Sequence, residues 1–357
     1  MFSDFHNKNV LITGHTGFKG SWLTAWMKKL GANVTGISLD PSSEPSIFNE
    51  CEIALSIDDN RVDIRDSNKI ASIISKANPD YIFHLAAQAL VRDSYQNPID
   101  TWNTNVMGTV NVLNGIRSID KKCAVIMITS DKCYDNVEWV WGYREQDRLG
   151  GPDPYSASKG AAELAIKSFY KSYFQNQSNI RIASVRAGNV IGGGDWSKDR
   201  LVPDCVKAWS INDNVELRNP SSTRPWQHVL DPLSGYVKLG AELYKSDSLN
   251  GESYNFGPPA NQNFSVKELV EEMSKYWDKV NWTDVSKNFD GPYESGLLKL
   301  DCDKAMHDLS WKAALDFNET VKLTVEWYKK YYEDSSQSMK VTSEQIDYYE
   351  SLRSDWK

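Results

Sequence analysis

Two rhythms of apolar and polar residues alternate along the chain. Asn9-Val10-Leu11-Ile12-Thr13 is a short β-rich run that leads into glycines. From Ser21 to Leu30, Trp22, Leu23, Trp26, Met27 and Leu30 recur at helical spacing, and Gly31 supplies the stop. Asn33 to Leu39 reads as a second strand, Asn68 to Lys76 as a helix, and Tyr81 to Leu85 as a strand. Val106 to Ile116 is helical in pattern. Ala124 to Ile128 is a continuous apolar run, as a strand buried on both faces requires. A long helix over Pro154 to Phe174 and a strand over Ile180 to Val185 follow. Strands alternating with helices predict βαβ units, right-handed crossovers and an α/β fold built on a doubly wound parallel sheet.

Beyond about Gly192 the texture changes. Gly192-Gly193-Gly194, Pro203, Pro220, Pro225 and Pro258-Pro259 cut the chain into short pieces. The expected organisation is a nucleotide-binding domain over residues 1–190 and a smaller lobe over 191–334, interleaved with late sheet strands. Glu319 to Tyr332 reads as a helix, and the polar tail, 335–357, as loosely held.

Composition narrows the function classes. Net charge is −8, against the basic footprint of a nucleic-acid binder, so no nucleic-acid partner is expected. Cys51, Cys123, Cys133, Cys205 and Cys302 are scattered, odd in number and without C-x-x-C spacing. They read as reduced thiols, with no zinc or other metal site. No apolar run reaches the length of a membrane span, and the first ten residues lack a signal-peptide core, so a cytoplasmic protein without a membrane partner is expected.

The segment between the first strand and helix is Thr13-Gly14-His15-Thr16-Gly17-Phe18-Lys19-Gly20, a G-x-x-G-x-x-G loop. Gly14 permits the tight turn, Gly17 lets backbone N–H groups approach a pyrophosphate, and Gly20 allows close helix–strand packing. The helix N-terminus adds partial positive charge for phosphates. Asp40 follows the second strand, where a carboxylate accepts ribose hydroxyls and repels a 2′-phosphate, which favours NAD over NADP. Lys19 reads as a solvated residue, because the loop is not a P-loop.

Asp153-Pro154-Tyr155-Ser156-Ala157-Ser158-Lys159 opens the long helix, with Asp153 as N-cap and Pro154 at the first position. Tyr155 and Lys159, four apart, share one helix face. A free phenol has a pKa of about 10 and is a poor base at neutral pH. A nearby ammonium and an oxidised nicotinamide both favour the phenolate, which can then take a proton from a substrate hydroxyl. The buried strand ends in Ser130-Asp131-Lys132, and ligands bind at strand C-termini in such sheets. Asp131 and Lys132 are two ionisable groups in that place, with solvated turn charges as the plainer reading. Cys133 reads as a packed small side chain. The sequence holds 13 tryptophans, most of them expected in the core, with Trp139, Trp141 and Trp226 as candidates to stack on a sugar or base.

Thr13 to Gly20, His84-Leu85-Ala86-Ala87-Gln88, Asn105-Val106-Met107-Gly108-Thr109 and Tyr155 to Lys159 resemble the extended short-chain dehydrogenases, a Rossmann family. Thr129 to Tyr134, Trp139 to Tyr143, Arg186 to Trp196 and Arg224 to Val229 resemble, within that family, the CDP-glucose 4,6-dehydratases. The resemblance runs to about residue 330. It implies bound NAD held by Gly14, Thr16, Gly17, Phe18, Gly20, Asp40, Asp63, Ile64, Leu85, Ala86, Ala87, Asn105, Tyr155 and Lys159. It implies a nucleotide sugar, CDP-glucose, met by Gln88, Asn189, Arg200, Arg224 and Asn255, and catalysis by Ser130, Asp131, Lys132, Tyr155 and Lys159. The implied reaction oxidises C4, eliminates water across C5 and C6, and reduces C6, for deoxysugar and surface-polysaccharide (O-antigen) synthesis. Related dTDP-glucose dehydratases carry Asp-Glu where this chain has Asp131-Lys132. Asp131 is therefore expected to protonate the departing hydroxyl, and Lys132 to serve at C5 as base or by polarising the enolate. The helices over 106–116 and 154–174 are expected to pair across a two-fold as a homodimer, with a homotetramer left open. The rivals are an NAD-dependent 4-epimerase, a dehydratase for dTDP-glucose or GDP-mannose, and a non-catalytic NAD-sensing module.

Overall fold

The structure is a computed structural model that describes residues 2–177, 179–288 and 296–353. Seven parallel strands form the central sheet: β1 (Asn9–Thr13), β2 (Asn33–Ser38), β3 (Asp58–Arg61), β4 (Tyr81–His84), β5 (Cys123–Ile128), β6 (Ile180–Arg186) and β7 (Ser253–Asn255). Their order is β7-β6-β5-β4-β1-β2-β3, so the order of the strands reverses between β1 and β4. Such a switch point opens a crevice beyond the strand C-termini.

Side chains alternate between the faces of each strand, and both faces are covered. Val10 and Ile12 of β1, Phe83 of β4 and Ile126 of β5 enter one core with Trp22, Trp26 and Met27 of α1 (Phe18–Lys29). Leu11, Ile82, Val125 and Met127 enter the other. There they meet Ile70 and Ile74 of α2 (Ser67–Ala77), Val112 and Ile116 of α3 (Thr109–Ile116), and Ile166 of α4 (Pro154–Phe169). All six residues of β5 are buried, as its unbroken apolar run requires.

Two short strands lay outside the periodic reading. β3 is polar, Asp58-Asp59-Asn60-Arg61, because an edge strand buries little. β7 comes from far down the chain and pairs with β6. The helix expected over 106–116 is preceded by a wider π-helical turn, Asn103–Gly108, and the long helix passes into another at Tyr170–Phe174.

The second lobe contributes α5 (Leu201–Ser210), α6 (Leu230–Lys245), which returns to pack against β5, and α7 (Phe317–Glu333). The tail departs from expectation: Ser338–Leu352 is a helix, α8, docked on α1 and α7. Ser338, Val341, Thr342, Gln345, Ile346 and Tyr349 are buried in it, a stripe at spacings of three and one that polar composition had masked. Residues 354–357 of that tail lie outside the described residues.

Candidate active site

The glycine loop wedges between the ends of β2 and β4. Gly14 has φ of 76°, and its N–H donates to Ile37 O at 2.7 Å. A Cβ there would sit 2.7 Å from Ala86 N, and one at Gly20 would sit 2.0 Å from Gly14 O. Both positions therefore exclude any side chain, and the cradle fits a close backbone approach to a diphosphate. Gly17 immediately precedes α1, with Phe18 as its first residue. Thr16 donates to Leu39 O at 2.9 Å and shares a 2.7 Å hydrogen bond with Ser38, which pins the loop to the end of β2. Asp40 lies just beyond, its side chain 89% exposed and 3.3 Å from Arg61.

Further round the sheet edge, Arg65 holds Asp63 at 2.7 Å and keeps its carboxyl below the usual range. Ile64 is buried, and its side chain fills the space that a Cβ on Gly108 would need. Leu85, Ala86 and Ala87 follow β4, and Ala86 N donates to Thr13 Oγ1 at 3.2 Å. Asn105, in the π-helical turn, is buried. It accepts from Gln88 N at 2.8 Å and donates to Gln88 O at 3.1 Å and to Ser158 at 2.9 Å. It thus ties the segment after β4 to the helix carrying Tyr155.

That helix starts where the sequence marks it. Asp153 accepts from Ser156 N at 2.9 Å, and Pro154 takes the first position. Tyr155, Lys159 and Glu163 follow at four-residue spacing, all buried. The Lys159 ammonium lies 5.9 Å from the Tyr155 ring centroid, and the nearby Ser130 hydroxyl acts to lower the phenol's pKa. Ser130 donates to Asp131 Oδ1 at 3.0 Å. Lys132, half-buried, lies in the short turn Asp131–Cys133. Cys133 is fully buried, and burial raises its thiol pKa.

Charge in this pocket does not follow the simple expectation of a phenol ionised by its lysine. Burial pushes the Tyr155 phenol up to about 12, with Ser130 opposing. Burial also lowers Lys159 to about 8, with help from Lys19 and against the pull of Cys133 and Glu163. The protein's own groups therefore keep the phenol neutral and leave Lys159 charged at neutral pH, so further positive charge to hold a phenolate must come from what binds beside them.

Lys19 also corrects the sequence reading. It is half-buried, its ammonium 5.9 Å from the Tyr236 ring centroid. Burial and Arg200 bring it down to about 8, and Asp131 opposes them. The first turn of α1 aims it inward over the crevice, so it belongs to the catalytic charge cluster.

Two features tie this pocket to distant sequence. A Cβ on Gly188 would lie 1.7 Å from Asp131 Oδ2, so that glycine makes room for the carboxylate. Beneath it, Arg186 of β6 holds Glu163 through two bonds, 3.0 Å and 2.8 Å. Glu163 also accepts from Thr129, at the end of β5, and from Ser184 at 2.9 Å. Arg186 donates to the Tyr134 hydroxyl at 2.7 Å. This buried pair locks the catalytic face of α4 to both strands. Glu163, Arg186 and Gly188 were missed as a site, although Glu163 is the next four-residue step after Lys159.

The expected substrate residues divide. Gln88 is half-buried, its amide donating to Leu90 O at 2.8 Å and Asp93 at 2.9 Å. Asn189, next to Gly188, has φ of 49°, and Arg200 caps α5 3.2 Å from Asp195. Arg224 donates to Thr223 O at 2.8 Å and to Gly296 O at 3.4 Å. Asn255 is 0% exposed and sits in the interior. It donates to Tyr143 O at 2.8 Å and Asp301 O at 3.0 Å and accepts from Tyr134 at 2.8 Å. With both ends of its amide used by the fold, it is a structural tie here and not a surface for ligand. Trp226 is buried, donating to Phe264 O at 3.1 Å, whereas Trp139 stacks on Tyr143 and meets the exposed Trp141 edge-on. Among the described residues, no cluster of metal-ligating side chains occurs and no helix is long and apolar enough to cross a membrane.

Residues 11–324 match the family model described as GDP-mannose 4,6 dehydratase. The chain is 47% identical over 330 residues to the CDP-glucose 4,6-dehydratase of Salmonella typhimurium, covering 91% of each. It is 25% identical over 345 residues to the dTDP-glucose 4,6-dehydratase of Haemophilus influenzae, covering 90% of this chain and 97% of that one. The fold superimposes on UDP-glucose 4-epimerase from Thermotoga maritima with a TM-score of 0.75 at 22% identity, covering 90% and 98% of the two chains. On the NAD complex of dTDP-glucose 4,6-dehydratase from Bacillus anthracis the TM-score is 0.72 at 21% identity, covering 91% and 97%.

Proposed function

The chain belongs to the GDP-mannose 4,6-dehydratase family, and on that premise we propose that it dehydrates CDP-D-glucose to CDP-4-dehydro-6-deoxy-D-glucose with bound NAD. It is a hydro-lyase of the extended short-chain dehydrogenase fold. The base identity is taken from the relative that is 47% identical over 91% of this chain. The observation that carries dehydration over epimerisation is Asp131: a buried carboxylate, given room by Gly188, one hydroxyl away from Tyr155. Moving hydrogen at C4 alone needs the phenol and its serine. Expelling a hydroxyl also needs an acid, and Asp131 is placed to be one.

Bound NAD supplies reversible two-electron oxidation, at C4 first and in reverse at C6. Gly14, Gly17 and Gly20 would cradle its diphosphate, and Asp40 would meet the ribose. Tyr155 takes the proton of the C4 hydroxyl. While the phenol is neutral, Ser130 donates to Asp131; a phenolate draws that donor to itself, which leaves Asp131 to face the sugar. The C4 ketone acidifies C5–H. Lys132 takes that proton, the C6–O bond breaks, and Asp131 in its acid form protonates the leaving hydroxyl to water; the proton held by Lys132 returns to C5 when C6 is reduced. Arg200 and Arg224 are suited to the substrate diphosphate.

Assembly and role follow the same reading. Ile99, Met107 and Leu164 are 73%, 50% and 59% exposed on the helices over 98–116 and 154–169, which supports their burial in a homodimer. The product would feed deoxysugar and O-antigen synthesis in the cytoplasm. Incubation with CDP-glucose and NAD, followed by alkali, tests the activity. A 4-keto product enolises and gains a near-ultraviolet band. An epimerised sugar or unchanged substrate gives none, and either result would overturn the assignment.

A further inference from the structure

Arg186 is bonded to both halves of the catalytic machinery. Its Nε and Nη2 hold Glu163 at 3.0 Å and 2.8 Å, one turn beyond Lys159 on the helix that carries Tyr155. Its Nη1 donates to the Tyr134 hydroxyl at 2.7 Å and to Glu145 O at 3.0 Å. Tyr134 follows directly on the turn Asp131–Cys133. At the other end of that turn, Thr129 donates to Glu163. Thr129 and Tyr134 thus bracket Ser130, Asp131 and Lys132, and each is bonded to one member of the same buried pair. We propose that Arg186 is a positioning residue: with Glu163, and through Tyr134, it sets where Asp131 and Lys132 stand relative to Tyr155 and Lys159.

The chemistry of the pair suits that task better than it suits stability. Both side chains are 3% exposed. Replacing a buried ion pair by apolar side chains of the same volume is often neutral or stabilising, so folding alone does not explain this one. A guanidinium is a rigid plane whose N–H groups point in fixed directions. A helix bonded to one edge of it and a turn bonded to another are therefore held at a set spacing. Tyr134 passes that constraint on. Its hydroxyl accepts from Arg186 and donates to Asn255 Oδ1 at 2.8 Å, and its ring stacks on Tyr143 with centroids 5.1 Å apart.

The two ends of the turn are not held alike. Thr129 is also tied to the sheet, its N–H donating to Val185 O at 2.9 Å, so Ser130 stands beside a fixed point. Asp131 and Lys132 lie nearer the end that Tyr134 secures. Cutting the bond between Arg186 and Tyr134 should therefore displace the elimination groups and leave Ser130, Tyr155 and Lys159 in place. Oxidation at C4 and elimination across C5 and C6 act on one bound sugar, so the two sets of groups must be in register, and a misplacement of about 1 Å costs on the order of 10²-fold in rate. This inference rests on the dehydratase reading above and adds to it a residue that couples the two steps.

Tyr134→Phe, Arg186→Lys and the double variant test it, with thermal melts to confirm that each is folded. Arg186→Lys keeps a charge opposite Glu163 but loses the fork. In single-turnover absorbance measurements on the NAD-loaded protein with CDP-glucose, the reduced-dinucleotide band should rise at the wild-type rate in Tyr134→Phe and decay about tenfold more slowly. Arg186→Lys should do the same. The double variant should decay no more than about twofold more slowly than the slower single variant, because both changes cut one link. Decay in Tyr134→Phe within twofold of wild type, rise and decay slowed equally in folded protein, or effects that multiply in the double variant would each overturn the coupling. A crystal structure of NAD-loaded Tyr134→Phe decides the same point without substrate. Asp131 and Lys132 should shift against Tyr155 by about 0.5 Å or more, and a turn that stays in place overturns the proposal. A wild type that never reduces its dinucleotide with CDP-glucose counts against the dehydratase reading instead, and the position of the turn still decides the role of Arg186.

Discussion

Replacing Gly188 by Ala tests whether Asp131 is the acid. The added methyl would come within 1.7 Å of Oδ2, 2.1 Å of Cγ and 2.6 Å of Oδ1. An unstrained carbon–oxygen contact is about 3.5 Å, so carboxylate and backbone must separate by more than about 1 Å. Asp131 has little freedom to move: it is buried, Ser130 is bonded to it, and its backbone donates to Ala187 O at 3.4 Å. A misplacement of about 1 Å at a reacting group costs on the order of 10²-fold in rate, or about 2.7 kcal/mol in the barrier. Overpacking should lower stability by about 1–3 kcal/mol, which leaves a folded enzyme at 25 °C. Tyr155 and Ser130 keep their places, so oxidation at C4 should survive while elimination slows. In single-turnover absorbance measurements with CDP-glucose, the band of the reduced dinucleotide should rise and persist, whereas in the wild type it decays quickly. A variant that turns over within threefold of wild type, or that loses both steps equally while remaining folded, would refute the role given to Asp131.

Two other perturbations read the buried charges. Lys159, near 8, should set an alkaline limb of kcat/KM, because its charge helps hold the phenolate and is lost above that pH. Removing the like charge of Lys19 by Lys19→Met should move that limb to higher pH in the NAD-loaded enzyme; a limb that stays or moves down contradicts the coupling. In the second lobe, burial raises the Asp231 carboxyl to about 6 from an unfolded value of 3.8, with Ala314 N at 2.7 Å and Tyr349 at 2.8 Å opposing. A raised folded value means the group stabilises below the unfolded value, and that contribution fades as pH rises through about 6. Its full size is about 3 kcal/mol at most. The melting temperature of Asp231→Asn minus that of wild type should therefore climb between pH 4 and pH 7. A difference independent of pH would show that Asp231 is not buried as described.

Most of the scaffold was legible because it is written in short periods. The run from Ala124 to Ile128 read as a strand covered on both sides, and the stripe of Trp22, Trp26 and Met27 as a packed helix face. The three glycines lie together at 14–20, and the cap at Asp153 lies with the Tyr155–Lys159 pair at 153–159. Local geometry therefore carries them. The tail helix was missed although its signal was local too, because Val341, Ile346 and Tyr349 are outnumbered by polar neighbours and only their spacing marks a face. Lys19 was misjudged for another reason: the side of α1 it occupies turns inward only because the second lobe, with Tyr236, closes over it.

What the sequence determined by itself is thus the alternating sheet, the glycine loop at the first strand's end, the Tyr155–Lys159 pair on one helix face, and the chemical class that the resemblance implies. Tertiary structure decided that Glu163 serves Arg186, that Gly188 yields its space to Asp131, and that Asn255 is spent inside the fold. Backbone periodicity is set by bonds between near neighbours and can be read from a short window. The direction and surroundings of a side chain at a strand end or in a loop depend on which distant segment packs against it, and no window of sequence contains that partner.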